Sequence, residues 1–260
     1  MKVTAALTVF VLAATAIVAA AAEHHEISSR RATERKAFTD AEITDGFFKT
    51  AFGAELRLAG AVNRIRKFDS PVRVFVENHA RPDRGAQVRQ VVEDIRTRIQ
   101  HLDIAMTETV AEANMVVTLV RDRDLPRAIN KIYGPDRAQL IQRSLVPQCL
   151  ASFRKDESFR ITHSDVIVVA DSGDFIFYDC VYEELLQALG PINDTSLVPW
   201  TMFNDNVQMG FFDIYDQYIL NVLYDPRIRP GMNMEEVRAV LPQIMPAVRA
   251  WVARVNELEP

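Results

Sequence analysis

Asp179-Cys-Val-Tyr-Glu-Glu-Leu-Leu-Gln-Ala-Leu-Gly190-Pro-Ile-Asn-Asp194 is the stretch on which the fold turns. It predicts one short helix over 180–189. Asp179 suits the N-cap, because its carboxylate can accept from the free amides of a first turn. Gly190 suits the left-handed position after the last turn, and Pro191 blocks continuation. At about 100° per residue, Val181, Leu185, Ala188 and Leu189 share one arc, with Tyr182 and Leu186 beside it. Glu183, Glu184 and Gln187 fall opposite. Two readings of that opposite face stay open: a solvated surface, its acids favoured by a nearby helix amino-terminus, or the lining of a cleft.

The spacing resembles the active-site helix of the metzincin and matrixin-like zinc peptidases, His-Glu-x-x-His-x-x-Gly-x-x-His or Asp. Gly190 matches the glycine of that pattern, and Glu184 falls where the general base lies. The three ligand positions hold Glu183, Gln187 and Asn193 instead of histidines. Trp200-Thr-Met-Phe resembles the Met-turn, with Met202 in the methionine slot, and the segment from Asp213 to Leu223-Tyr224 resembles the closing helix. A nearer resemblance is to an uncharacterised bacterial family of exported proteins. It shares a Glu-Glu-x-x-Gln-x-Leu-Gly helix and a Tyr-Asp-Pro-Arg-x-x-Pro-Gly-Met segment, here Tyr224 to Met232, and covers roughly Phe47 to Met232. No activity comes with it. Together these resemblances imply an α+β, zincin-like fold: a mixed twisted sheet with packed helices, the central helix, and a helical carboxy-terminal part.

Working outward, Asp165-Val-Ile-Val-Val-Ala170 and Phe175-Ile-Phe-Tyr178 read as a hairpin about Ser172-Gly173, its second strand running straight into the central helix. Val72 to Val76 alternates as a strand, Arg84 to Leu102 carries a helical apolar stripe, and Met115 to Val120 is a continuous apolar run. Strand, helix, strand in that order predicts a parallel pair. Leu125 to Tyr133 and Asp136 to Leu145 read as helices broken at Gly134-Pro135, Phe211 to Tyr224 as a buried helix, and Asn233 or Met234 to Val255 as a final one. Thr39-Asp-Ala-Glu42 is a capping box that begins the folded part. Glu23 to Ala37, charged and poor in apolar residues, is expected to be a flexible tail. Before it, Lys2, an apolar run from Val3 to Val18 and Ala19 to Ala22 make a secretory leader cut after Ala22. The expected organisation is therefore a leader over 1–22, a tail over 23–38, a zincin-like domain over 39–232 and a carboxy-terminal helical segment over 233–260, with a periplasmic or secreted mature chain that carries no membrane span.

A composition of 48% hydrophobic and 25% charged residues is that of a globular domain, and a net charge of −5 excludes the basic footprint of a nucleic-acid binder. Cys149 and Cys180 are the only cysteines, and in an oxidising compartment such a pair is expected to form a disulfide.

The missing imidazoles decide how the helix is read. Catalytic zinc takes neutral imidazole, thiolate or carboxylate and keeps a position open for water. The five histidines, His24, His25, His79, His101 and His163, all lie away from the helix. Glu183, Gln187, Asn193 and Asp194 offer only oxygen, which suits calcium or magnesium better than zinc. Three readings follow. The first is a non-catalytic, metzincin-like domain without cofactor, binding a peptide or cell-envelope partner in a cleft formed by Glu183, Glu184, Gln187, Asn193 and Met202. The second is a hydrolase with an oxygen-rich metal site and Glu184 as base, and the third a purely structural envelope protein.

Overall fold

Val72, Val74, Val117, Leu119, Val166 and Val168 are all fully buried and lie on one face of a sheet. In the computed structural model, which describes residues 23–53, 63–144 and 148–258, that sheet has five strands. They are β1 (Val72–Asn78), β2 (Ile104–Met106), β3 (Met115–Val120), β4 (Cys149–Lys155) and β5 (Ile161–Val169), in the order β2-β1-β3-β5-β4. The first four in that order pair in parallel, and β4 closes the edge antiparallel to β5. Among the described residues eight α-helices surround the sheet, so the chain is α+β: α1 (His25–Thr33), α2 (Asp40–Ala51), α3 (Gly85–Arg98), α4 (Leu125–Tyr133), α5 (Pro135–Ser144), α6 (Asp174–Ala188), α7 (Ile214–Tyr224) and α8 (Met234–Val255). The expected leader, residues 1–22, lies outside the described residues.

The two faces of the sheet are covered differently, because successive strand residues point to opposite sides. One face packs on α3 through Val88, Val91, Val92 and Ile95, within the large core that also takes in α2, α6, α7 and α8. The other carries Val120, Ile167, Val169 and Leu150, and packs on Leu125 and Ile129 of α4 and Ala138 and Ile141 of α5. Capping boxes open α2 (Thr39 with Glu42) and α8 (Asn233 with Glu236).

Three expectations need correction. The hairpin about Ser172-Gly173 does not exist: Gly173, with φ of 93°, is the N-cap of α6, and Phe175–Tyr178 form its first turns. Phe175 and Phe177 are both buried, and this imitates the alternation of a strand because α6 is enclosed on nearly every side. The antiparallel partner of β5 is β4, whose Cys-Leu-Ala-Ser-Phe carries little β-branched signal. Second, Asp179 is therefore inside α6 and caps nothing. Third, the charged segment after residue 22 contains α1, which covers itself with ion pairs and anchors by Ile27, 3% exposed. Its Arg30 and Arg31 guanidinium groups lie 4.8 and 4.2 Å from the ring centres of Phe175 and Phe211, contacts that hydropathy cannot reveal.

Candidate functional site

α6 is tied down at its end, where a helix leaves carbonyls without partners. The Ser164 hydroxyl of β5 donates to the Ala188 carbonyl at 2.9 Å, and the Tyr224 hydroxyl at the end of α7 donates to the Leu189 carbonyl at 2.9 Å. Gly190 follows with φ of 143°, and a Cβ there would stand 2.3 Å from the Arg66 carbonyl oxygen. Only glycine fits, and the chain turns back sharply along the helix. At the other wall, Cys149 at the start of β4 is bonded to Cys180 of α6 with the Cα atoms 5.7 Å apart.

Between α6, the first residues of β4 and the loop running from Asp194 to Gln208 lies a cleft of about 340 Å³. Five carboxylates line it: Asp179, Glu183, Glu184, Asp194 and Asp205. Gln187 joins them, donating its amide to Asp194 Oδ1 at 2.6 Å. No Lys, Arg or His is among the described residues of the lining. Oxygens of Glu183, Asp194 and Asp205 lie within 4.8 Å of one another. Burial raises the Glu183 carboxyl well above the ordinary range, and the charges of Glu184, Asp194, Asp179 and Asp205 push it the same way. Burial also lifts Asp179 to about 6, against amide donation from Met209 and Gly210 to its Oδ1 at 2.7 and 3.1 Å.

The residues expected to act together divide into two sets. Glu183, Glu184, Gln187 and Asp194 meet in the cleft. Glu184 and Gln187 are 6% and 5% exposed, so the solvated-face reading does not apply to them. Nor are these residues at the helix amino-terminus, which lies more than two turns earlier and faces Arg84 through Asp174 at 2.8 Å. Asn193 is turned away: its amide donates to the Lys49 carbonyl at 2.6 Å and its backbone amide to that of Thr50 at 3.3 Å, fastening the loop to α2. Met202 is 1% exposed in the core and does not line the cleft, while its amide and the Thr201 hydroxyl both donate to the buried Asp216 of α7. Two lining residues are not among those the sequence marks for a site: Asp179, which it presents as an N-cap, and Asp205. Nothing local marks Asp205, since the cleft gathers it from a loop.

Comparison with curated proteins and with solved structures finds no match. The model of one family, described as a protein of unknown function (DUF2927), does match, over residues 40–243, which takes in the sheet, α6 and its cleft and α7; the chain belongs to that family.

Proposed function

We propose that the chain is an exported, non-catalytic binding domain whose α6 cleft receives a cationic side chain of a peptide or cell-envelope partner. One observation carries the reading: five carboxylates converge on a cleft whose described lining contains no basic group. Like charges held this close disfavour one another's ionisation, and a ligand cation relieves that repulsion. At an effective dielectric of about 20, a unit charge about 4 Å from a carboxylate gains roughly 4 kcal/mol before desolvation is counted. The zincin-like part of the proposal draws support from a mixed sheet running into a central helix, the glycine that ends it and the buried Met202 turn. With Glu183 and Gln187 where imidazoles would be, the scaffold is read as a peptidase frame converted to binding. The leader-like sequence of residues 1–22 and the Cys149–Cys180 bond support export. The test is calorimetry with short peptides that differ only in lysine and arginine content. Binding is expected for the basic peptides alone, weaker at high salt and lost in the Glu183→Gln, Asp205→Asn double variant. Binding indifferent to peptide charge rules the reading out.

A second reading, an oxygen-rich cation site serving a hydrolase with Glu184 as base, rests on the spacing of Glu183, Asp194 and Asp205. Ligands about 2.3–2.6 Å from a shared ion stand at most roughly 5 Å apart, so a separation limit of 4.8 Å admits an ion of calcium's size. Calcium titration of chelator-treated protein, with Glu183→Gln as control, separates this reading from the first.

A further inference from the structure

The face of the sheet turned away from α6 carries a different constellation. β1 and β3 lie side by side and parallel, with Asn78 opposite Leu119 at their carboxyl ends. From there the chain leaves in two directions. β1 leads to α3 on the face of Val117 and Leu119, whereas β3 leads to α4 on the face of Val120 and Ile167. β2 follows β1 in sequence but sits on its far side, so strand order reverses between β1 and β3. In open sheets with parallel strands, that divergence leaves a crevice beyond the carboxyl ends, where ligands bind.

Two adjoining cavities occupy it. One of about 690 Å³ runs under α4, with Val116, Val120, Ala128 and Ile132 among its walls. The other, about 410 Å³, opens at the strand ends between Asn78, Arg81 and Asp83. His79 and Arg121 line both. The larger volume is that of a drug-sized ligand pocket.

The charges around the crevice are mostly spoken for. Arg121 Nε pairs with Asp124 at 2.7 Å, and Glu77 takes both His79 at 2.9 Å and Lys131 at 3.7 Å. Asp83 accepts from the Gly85 amide at 2.9 Å, and Asp165 lies 3.2 Å from His163. Arg81 and Arg127 remain, with no ion pair among the described residues. The crevice thus combines an apolar floor with two uncommitted guanidinium groups, Arg127 in the larger cavity and Arg81 in the smaller. We propose that this crevice is a second ligand site, for a small organic anion whose apolar body lies over Val116 and Val120 and whose carboxylate or phosphate is taken by Arg127 of α4 and Arg81 just beyond β1.

Anilinonaphthalene sulfonate, an apolar ring system bearing one anionic group, is the probe. Folded full-length protein is expected to bind one equivalent, seen as a rise in fluorescence below the melting transition. Phenyl phosphate and decanoate, added as competitors, distinguish a phosphate-bearing aromatic ligand from an acyl carboxylate, and at least one of them displaces the probe. Arg81→Glu and Arg127→Glu, both at exposed positions, are each expected to weaken binding by about tenfold or more. Ala128→Trp, which fills the cavity, removes it, and Glu183→Gln in the α6 cleft leaves it unchanged. No binding to the folded wild type, displacement by neither competitor, or equal binding by the wild type and both arginine variants overturns the proposal.

Discussion

Asp179 holds two backbone amides of the loop after the cleft while buried beside other acids, and the balance lifts its carboxyl to about 6. A raised carboxyl favours the folded state fully below its unfolded value near 4, and that contribution is lost as pH rises through 6. Asp179→Asn keeps the accepting oxygen and cannot ionise. It is therefore expected to melt higher than the wild type at about pH 8, by roughly 1–3 kcal/mol, and to show no advantage near pH 4. Thermal melts across that range check this, and a gain of the same size at both ends would falsify it. Gly190 sets the opposite kind of limit. Ala there meets the Arg66 carbonyl in a backbone conformation that side chains avoid, so Gly190→Ala is expected to cost more than about 1 kcal/mol, and a neutral substitution would show that the turn gives way.

At the scale of the element, α6 is buried on nearly every side within the large core. Leu185 and Leu189 are fully buried, and either change to Ala is expected to cost about 2–5 kcal/mol in denaturant unfolding. Glu183→Ala removes a carboxylate that its neighbours repel and is expected to cost far less; equal losses at all three positions would mean that the cleft holds Glu183 for structure. Reduction of Cys149–Cys180, which closes a loop with a sequence separation of 31, is expected to cost about 3–4 kcal/mol on the chain-entropy account, read as a lower midpoint in reductant. The packed face of α6, the disulfide, the Thr39–Glu42 capping box and the parallel β1–β3 pair were legible because each rests on local pattern or on counting. The start of α6 was not, because a helix buried on nearly all sides shows no amphipathic period and its first turn passes for a strand. Edge strand β4 takes its role from pairing with β5, which its own residues hardly announce.

For the whole molecule, the carboxylates that burial lifts, Glu34, Asp179, Glu183, Asp213 and Asp216, outweigh in depth the exposed ones that arginines hold low, such as Glu93 and Asp103. By the same sign argument the protein is expected to melt higher at about pH 5.5 than at about pH 8. A saturating cation in the α6 cleft is expected to narrow that gap, and a flat profile would contradict it. Half of the cleft was readable as the polar side of one helix. The remainder, Asp205 above all, comes together only when a loop folds over α6, and the register of that loop sends Asp194 to Gln187 and Asn193 to α2. The bond between Cys149 and Cys180 adds a matter of timing. Until it closes, the edge strand on one side of the cleft is fastened to α6 by packing alone, so a newly made chain kept among reductants has a jaw that can part. Oxidation turns the same sequence into a clamp whose two sides are held with their Cα atoms 5.7 Å apart at the bond, so the redox state of the surroundings sets whether this wall of the cleft can move.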